Sequence, residues 1–240
     1  MTRPSSNADG EHRGRVAVIS GGAADVGGAI ARRLRELGAL VAVLDPDSPR
    51  TSEVQEGSID LVTVDPSREA AVERAFDAVV SRHGGVDYLV CCPSRPSPRP
   101  FLDLRVADWR RSLTQLTEVF LACRAALGPM QARGSGRIVL VSSVAARTGL
   151  ANGVHVAAAA GGVLGFARSL ALEVAAAGIR VNTLSPAVGR DLEGGPGAEA
   201  PLGRELRAED VVEGALFLLG EDASYLIGQD LRVTGGAGLW

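Results

Sequence analysis

A glycine-rich turn between two apolar segments constrains what this chain can fold into. Residues 16–20 read VAVIS and residues 40–44 read LVAVL, so both segments are short apolar runs of strand length. Between them, the turn GGAADVGG leads into a segment with apolar residues at Ile30, Leu34 and Leu37, which is helical spacing. Strands this apolar are buried on both faces, as in a parallel sheet with helices on both sides. The sequence therefore predicts a βαβ unit over Val16–Asp45.

The turn has the composition of a phosphate-binding loop. Its glycines, Gly21, Gly22, Gly27 and Gly28, let the backbone approach a pyrophosphate at the positive end of a helix. Asp45 ends the second strand, where a carboxylate accepts hydrogen bonds from the two hydroxyls of a ribose. These residues predict a dinucleotide site.

The rest of the chain continues the alternation of strands and helices. Further strands are predicted at residues 59–64, 86–91 and 230–233 and in the stretches that begin at 137 and 179, and helices at 67–83, 106–127, 152–176 and 208–219. A chain of 240 residues with 46% hydrophobic content can bury one large core. We therefore predict one α/β domain over residues 14–240, with a doubly wound parallel sheet of about seven strands and helices on both faces. The polar residues 1–13 are predicted to be a disordered tail.

Composition excludes several classes of function. A net charge of −3 gives no basic footprint for nucleic acid, and no apolar run approaches the roughly 18 residues of a membrane span. The three cysteines have neither disulfide nor metal-ligand spacing, so no metal site is expected. Because the first residues lack a secretory signal, a cytoplasmic location is predicted. All 25 basic residues are arginine, which excludes any mechanism that needs a lysine amine.

The glycine turn resembles that of the short-chain dehydrogenase/reductase (SDR) family, whose fingerprint runs Thr-Gly-x-x-x-Gly-x-Gly. Ser20, Gly21 and Gly27 occupy the first, second and last of these positions. The resemblance extends over nearly the whole chain after Gly14 and implies a Rossmann-like fold with a nicotinamide cofactor. The cofactor-binding positions that it implies are Gly21, Val26, Gly27, Asp45 and Asp65.

The same resemblance shows where cofactor binding is weakened. Asp25 replaces the middle glycine, and like charges about 4 Å apart repel by roughly 1–4 kcal/mol. Asp45 favours NAD over NADP because it repels a 2′-phosphate. Asp65 either contacts the adenine, as the resemblance implies, or caps the helix at 67–83. We expect the chain to bind no cofactor, or NAD weakly.

Another departure follows the fourth strand, where the family has Asn-Asn-Ala-Gly and this chain has Cys91, Cys92, Pro93 and Ser94. The polar scaffold of that loop is therefore not the usual one. Cys92 is either a nucleophile or a small buried hydrophobic residue, and the second interpretation is the more usual one for cysteine. The following RPSPRP is interpreted as a stiff, exposed segment that forms a lid or a partner contact.

The catalytic positions depart most strongly from the family pattern. Ser143 occupies the position of the catalytic serine, and Gln115 best fits that of the catalytic asparagine. Val156 stands at the position of the tyrosine and Ala160 at that of the lysine. In the family the tyrosine donates a proton to the forming alkoxide, while the lysine lowers its pKa and holds the nicotinamide ribose. Ordinary dehydrogenase activity is therefore predicted to be absent or very weak.

No other residue is an obvious replacement for this pair. The two tyrosines, Tyr88 and Tyr225, lie in the fourth strand and near the C-terminus. His155 is the candidate for a new acid or base, but adjacent helical residues point about 100° apart, which favours a helix-start or interface role. Arg147 could bind an anion, although an exposed arginine is usually only solvated.

Three hypotheses follow from this pattern. The leading one is a non-catalytic, structural or regulatory subunit that pairs with an intact SDR, or with itself, through helices 106–127 and 152–176, the second of which has small residues at Ala157–Gly162. The second is a non-redox enzyme of cyclase, isomerase or dehydratase type. It would use the cleft that holds the dehydrogenase site in the family, with Ser143, Gln115 or His155 positioning the substrate. The third is an atypical NAD-dependent oxidoreductase acting on a carbonyl or alcohol. The terminal Trp240 is predicted to dock on a neighbouring subunit.

Overall fold

Seven strands form one sheet in the order β3-β2-β1-β4-β5-β6-β7, and every neighbouring pair is parallel. The computed structural model describes residues 8–22, 26–46, 59–93, 96–187 and 200–238. The strands are β1 (Val16–Ser20), β2 (Leu40–Asp45), β3 (Ile59–Thr63), β4 (Tyr88–Cys91), β5 (Gly136–Val141), β6 (Ile179–Pro186) and β7 (Asp230–Val233). The helices are α1 (Ala8–Glu11), α2 (Val26–Glu36), α3 (Glu69–His83), α4 (Val106–Arg133), α5 (Ala145–Thr148), α6 (Val154–Val174) and α7 (Ala208–Leu219). The predicted doubly wound fold is confirmed.

The core consists of two apolar layers on opposite faces of the sheet. Successive residues of β1 alternate between them, because strand side chains point to opposite faces: Val18 packs in one layer and Ile19 in the other. Helices α3, α4 and α6 cover the first layer, and α2 and α7 cover the second. Burial on both faces explains why the central strands read as continuous apolar runs.

Helix α4 is longer than predicted. The predicted end was residue 127, but the helix continues through Gly128 and Pro129 to Arg133 and ends at Gly134, whose φ of 65° is left-handed. Met130 is fully buried against Gly136 and fixes the last turns to β5. The packing of Met130 therefore outweighs the tendency of Gly128 and Pro129 to end a helix.

Among the described residues, one helical segment, Val154–Ala177, is long and apolar enough to cross a membrane. In this fold it packs against β6 and α4, and 44% of the relevant window is buried. The core helix of a doubly wound domain meets the same criterion, so this feature alone gives no evidence for a membrane span. The cytoplasmic location stays a prediction.

The N-terminal segment differs from the predicted disordered tail. Residues 8–11 form α1 and His12 is only 3% exposed, while residues 1–7 lie outside the described part of the chain. The Nδ1 atom of His12 lies 3.3 Å from the Tyr88 hydroxyl, which also accepts a hydrogen bond of 3.0 Å from Arg137. The hydroxyl can donate to Nδ1 when this nitrogen carries no proton. Contacts made 76 residues away along the chain order this segment, and the polar local sequence gives no sign of them.

This contact makes stability depend on pH. Burial lowers the pKa of His12 below 6.5, and the positive charge of Arg137 lowers it further. The unfolded chain therefore takes up a proton at a higher pH than the folded chain, so the free energy of unfolding decreases as the pH falls below about 6.5. We expect His12→Asn, which keeps an acceptor near Tyr88, to flatten this dependence in urea denaturation between about pH 5 and about pH 7.5. Identical pH slopes for the variant and the wild type would contradict this expectation.

Candidate functional site

The sheet order places a cleft at the carboxyl ends of β1 and β4. From β1 the chain adds β2 and β3 on one side of the sheet, and from β4 it adds β5, β6 and β7 on the other side. Doubly wound sheets bind ligands at the point where the strand order reverses in this way. The glycine turn follows β1, and the loop of Cys92 follows β4. Cys92 donates its backbone N–H to the carbonyl of Ser20 at 2.8 Å, which joins the two loops.

The glycines of the turn are required by its own packing. Gly21 has a φ of +80°, and a Cβ there would lie 2.4 Å from the carbonyl oxygen of Cys92. A Cβ on Gly27 would lie 2.5 Å from the carbonyl oxygen of Gly21. Backbone atoms this close could be moved aside only at a cost in folding stability. The packing of the turn therefore explains these glycines without a ligand.

The start of α2 is partly used by the turn itself. Gly28 donates its N–H to the carbonyl of Gly22 at 2.9 Å, which leaves fewer amides for a phosphate. Val26 is buried at the first position of the helix. Asp25, the residue predicted to repel a pyrophosphate, lies outside the described residues.

The adenosine half of the cleft is acidic. Asp45 is 8% exposed at the end of β2, where a ribose would lie. Asp65 does not cap α3, which begins four residues later after Arg68. Instead it accepts hydrogen bonds from the backbone and the hydroxyl of Ser67, which lower its pKa. This corrects the capping interpretation and leaves the adenine contact as the prediction for Asp65.

Glu118 of α4 has a pKa that the charge of Asp65 influences, which the sequence did not reveal. Burial raises its pKa, and the negative charge of Asp65 raises it further, so the two carboxylates are electrostatic neighbours. A glutamate in the middle of a helix is usually solvated. The sequence therefore contains no sign that Glu118 is partly buried and that the charge of Asp65 acts on it.

The four positions that the resemblance assigned to catalysis do come together. Gln115, Ser143, Val156 and Ala160 line one small cavity, and each is at least nine-tenths buried. Val156 and Ala160 are one helical turn apart on α6, so both face the cavity. The cavity has a volume of about 10 Å³, near the lower limit for a single water molecule.

The polar groups around this cavity bond to nearby backbone. Ser143 Oγ accepts the N–H of Ala145 at 3.1 Å, and Ser142 Oγ donates to the carbonyl of Ala160 at 3.1 Å. Neither tyrosine approaches the cavity. Tyr88 bonds to His12 and Arg137 at the start of β4, and Tyr225 is 98% exposed beyond α7. The structure therefore places no phenol at the position of the proton donor.

Arg147 is paired with a carboxylate. Its Nε lies 2.7 Å from Asp230, whose side chain is 2% exposed. Asp230 also accepts hydrogen bonds from Thr183 and Ser185, at 3.0 and 2.6 Å. This network ties the loop that follows Ser143 to β6 and β7. Anion binding by Arg147 stays a prediction.

The cysteines behave as core residues. Cys91 and Cys92 lie in the two opposite layers of the core, and both are at least nine-tenths buried. A hydrogen bond with the thiol of Cys123, together with burial, raises the pKa of Cys91. Cys92 packs directly behind Gly22 of the turn. This arrangement supports the hydrophobic interpretation of Cys92 over the nucleophilic one.

Comparisons with known proteins agree with the fold. The family model described as enoyl-(acyl carrier protein) reductase matches residues 21–238. The cis-4-hydroxycyclohexanecarboxylate dehydrogenase of Sinomonas cyclohexanicum is 36% identical, over 92% of this chain and 96% of that protein. The 3-ketoacyl-(acyl-carrier-protein) reductase of Brucella melitensis, solved in complex with NADH, is 29% identical with a TM-score of 0.86, over 94% of this chain and 98% of that one. A short-chain dehydrogenase/reductase structure from Burkholderia xenovorans is 31% identical with a TM-score of 0.83, over 94% and 97% of the two chains.

The chain therefore belongs to the short-chain dehydrogenase/reductase family, as the glycine turn indicated. Its relatives are oxidoreductases, and at least one of them binds NADH.

Proposed function

We propose that this chain is a non-catalytic member of the family that serves as a structural or regulatory subunit beside an intact relative. The observation that carries this proposal is the pair Val156 and Ala160, which faces the same cavity as Ser143. Neither side chain can donate a proton or carry a positive charge. The sequence contains no lysine that could take over from another position.

The size of the expected loss supports a role other than hydride transfer. General acid catalysis contributes about 10²–10⁴ in rate, or roughly 3–5 kcal/mol. Loss of the ribose anchor adds to this, because the lysine also holds the nicotinamide in place. A chain that keeps the whole fold while lacking both groups fits a binding role better than a catalytic one.

The outer faces of α4 and α6 are the proposed pairing surface. A Cβ added at Gly161 or Gly165 of α6 would meet nothing within 4 Å, so this face is open. On α4, Phe120 is 45% exposed. Small residues allow a second helix to approach closely, and an exposed aromatic ring gains from being covered.

Gly165→Leu tests this surface. The variant is expected to fold at least as well as the wild type, because leucine favours a helix more than glycine and the position is exposed. It is expected to abolish the complex formed when the chain is co-expressed with an intact family member from the same source, as measured by light scattering after gel filtration. Ala78→Leu on the exposed face of α3 is the matched control and should pair normally. A stable homo-oligomer that ignores any intact relative would count against the proposal.

A second candidate is an NAD-dependent oxidoreductase with an unusual proton donor. The 36% identical dehydrogenase and the NADH complex of the Brucella relative favour it. The glycine turn and Asp45 fit the adenosine and pyrophosphate half of NAD, and Asp45 favours NAD over NADP. The nicotinamide half does not fit equally well, since the groups that hold its ribose are replaced by Val156 and Ala160.

Titration with NADH separates the two candidates. The leading proposal expects no saturable heat in calorimetry up to about 1 mM NADH, equivalent to binding weaker than about −4 kcal/mol. Micromolar binding, together with turnover of cis-4-hydroxycyclohexanecarboxylate, would favour the oxidoreductase. Titration with NADPH under the same conditions serves as the comparison for the role of Asp45.

A further inference from the structure

Residues 10–13, Gly-Glu-His-Arg, dock on the amino end of β4 and are here named the clasp. The ring of His12 meets the ring of Tyr88 edge-on, with 5.7 Å between the centroids and an angle of 77° between the planes. Its Nδ1 atom lies 3.3 Å from the Tyr88 hydroxyl, and the imidazole is buried. Tyr88 is the first residue of β4. The clasp therefore lies at the edge of the sheet opposite to the glycine turn, which follows the carboxyl end of β1.

Arg137 of β5 joins the clasp to the end of α7. Its guanidinium lies 5.4 Å from the centroid of the Tyr88 ring and donates hydrogen bonds to the Tyr88 hydroxyl and to the carbonyl of Leu219, at 3.0 and 2.6 Å. Glu221 forms an ion pair with the same guanidinium and donates its N–H to the carboxylate of Glu11. That carboxylate also lies 4.0 Å from Arg137. Two residues of the clasp thus contact one polar network.

Gly14 separates the clasp from residues that the sheet holds. Its φ is +71°, and a Cβ there would meet nothing within 4 Å. The next residue, Arg15, has contacts of its own: its carbonyl accepts the N–H of Leu40 at 2.8 Å, and its guanidinium lies 3.2 Å from Asp87. None of residues 10–13 belongs to a strand. The clasp can therefore leave the surface at Gly14 without breaking a pair of strands.

The charged groups that face His12 are mostly positive. Arg15 precedes β1, Arg33 lies on α2 and Arg137 lies on β5, while Glu11 is the acidic neighbour. Burial lowers the pKa of His12, Glu11 raises it, and the three arginines lower it. The Glu11 carboxylate already accepts the backbone N–H that follows α7. A proton on His12 therefore adds a fourth positive charge to a buried site, which disfavours the docked position.

We propose that the clasp is an acid-sensitive element: a proton on His12 undocks residues 10–13 from Tyr88 and Arg137, while the seven-stranded sheet stays intact. Undocking returns the imidazolium to water. It also exposes the Tyr88 hydroxyl and the Arg137 guanidinium at the amino edge of the sheet. Because this edge lies opposite to the cleft, the inference does not rest on either candidate function.

Hydrogen exchange of single amides, measured by NMR, reports undocking. The N–H of Arg15 donates to the carbonyl of His12 at 3.1 Å, so this amide exchanges when the clasp leaves. Each exchange rate is divided into the intrinsic rate at the same pH, which gives a protection factor. The amides of β1, a strand paired with both β2 and β4, report opening of the whole domain.

At about pH 7.5 the protection factor of Arg15 is expected to be at least about 10²-fold below those of β1, because the clasp opens without the sheet. Between about pH 7.5 and about pH 5.5 it is expected to fall severalfold, up to about tenfold. The reason is that His12 in the undocked clasp takes up a proton near its ordinary pKa of 6.5, whereas the docked residue resists protonation.

Two histidine variants test the assignment. His12→Asn keeps a polar group near Tyr88 but does not titrate, so its Arg15 protection factor is expected to be independent of pH. The matched control is His83→Asn on α3, which removes another partly buried histidine, 2.9 Å from Asp60. This control is expected to keep the pH dependence of the wild type. Thermal unfolding confirms that each variant is folded.

Tyr88→Phe tests the docking contact by removing the hydroxyl and keeping the ring. It is expected to lower the Arg15 protection factor about fivefold at about pH 7.5, the effect of one hydrogen bond. The proposal is overturned if Arg15 is as well protected as β1, because the clasp then opens only with the whole domain. It is equally overturned if the wild-type factor does not change with pH, if His12→Asn keeps the wild-type dependence, or if folded Tyr88→Phe protects Arg15 as well as the wild type.

Discussion

The wild-type protein is expected to oxidise cis-4-hydroxycyclohexanecarboxylate with NAD at no more than the background rate, and Val156→Tyr/Ala160→Lys is expected to exceed it by about 10²–10⁴-fold. The reason is geometric. Positions 156 and 160 lie one turn apart on α6 and both face the cavity of Ser143. A phenol and an ammonium group placed there share one site with the serine hydroxyl. The measurement is NADH formation at 340 nm.

The single substitutions separate the two roles. Val156→Tyr alone supplies a phenol whose pKa stays near 10, so it is expected to gain little at neutral pH. Ala160→Lys alone supplies an anchor for the ribose but no proton donor. Adding Ser143→Ala to the double variant should remove the gain, which distinguishes a rebuilt site from a chance activity. Overpacking of a cavity this small costs about 1–3 kcal/mol, so thermal unfolding accompanies each assay.

The result that would contradict the non-catalytic proposal is brisk turnover by the wild type. In that case a residue other than tyrosine and lysine moves the proton. Among the described residues near the cavity, only Ser143 and Gln115 have polar side chains that the resemblance linked to catalysis. Ser143→Ala would then be the first variant to examine.

The regular elements were predictable because their signal is local. The bounds of β1, α7 and β7 agree with those of the structure, since apolar runs and helical periodicity reflect burial against a sheet. The glycine turn was predictable for the same reason: the positive φ of Gly21 and Gly22 is a requirement that few other residues meet. The convergence of Gln115, Ser143, Val156 and Ala160 came from the resemblance, not from periodicity.

What the sequence hid depends on contacts between distant residues. His12 is buried because Tyr88 and Arg137 are paired at the amino ends of the neighbouring strands β4 and β5, a relation that the polar segment around His12 does not encode. Arg147 pairs with Asp230, which lies 83 residues away. Both side chains look solvated when read along the chain, and only the parallel sheet brings their partners to them.

The proline-rich residues 96–100 illustrate the same limit. The prolines predicted stiffness, and the sequence left a lid and a partner contact as its two interpretations. The hydrogen bonds of this segment join it to Asn152 and His155, more than fifty residues further along the chain, so proximity in sequence could not reveal them. The orientation of His155 away from the tyrosine position followed from helical geometry, but its burial did not.

Gly21→Ala is expected to lower the free energy of unfolding by about 3–4 kcal/mol without any cofactor present. Alanine at a φ of +80° is strained, and its Cβ would lie 2.4 Å from the carbonyl oxygen of Cys92, a backbone atom that cannot move aside cheaply. The matched control is Gly14→Ala, where φ is +71° and a Cβ would meet nothing within 4 Å. That variant carries the strain without the clash and should cost about 1 kcal/mol. Urea denaturation measures both.

The difference between the two variants decides what the glycine turn does in this chain. A large excess cost for Gly21→Ala means that the turn is held by the loop of Cys92, so its glycines persist even where no pyrophosphate binds. Equal costs would mean that the turn relaxes around a side chain, and the glycine would then be explained by a ligand. Repeating the denaturation with about 1 mM NADH adds the complementary measurement, because a ligand bound only by the folded state raises the free energy of unfolding. A cost that NADH does not change, together with a large excess at Gly21, fits a dinucleotide turn kept by folding alone.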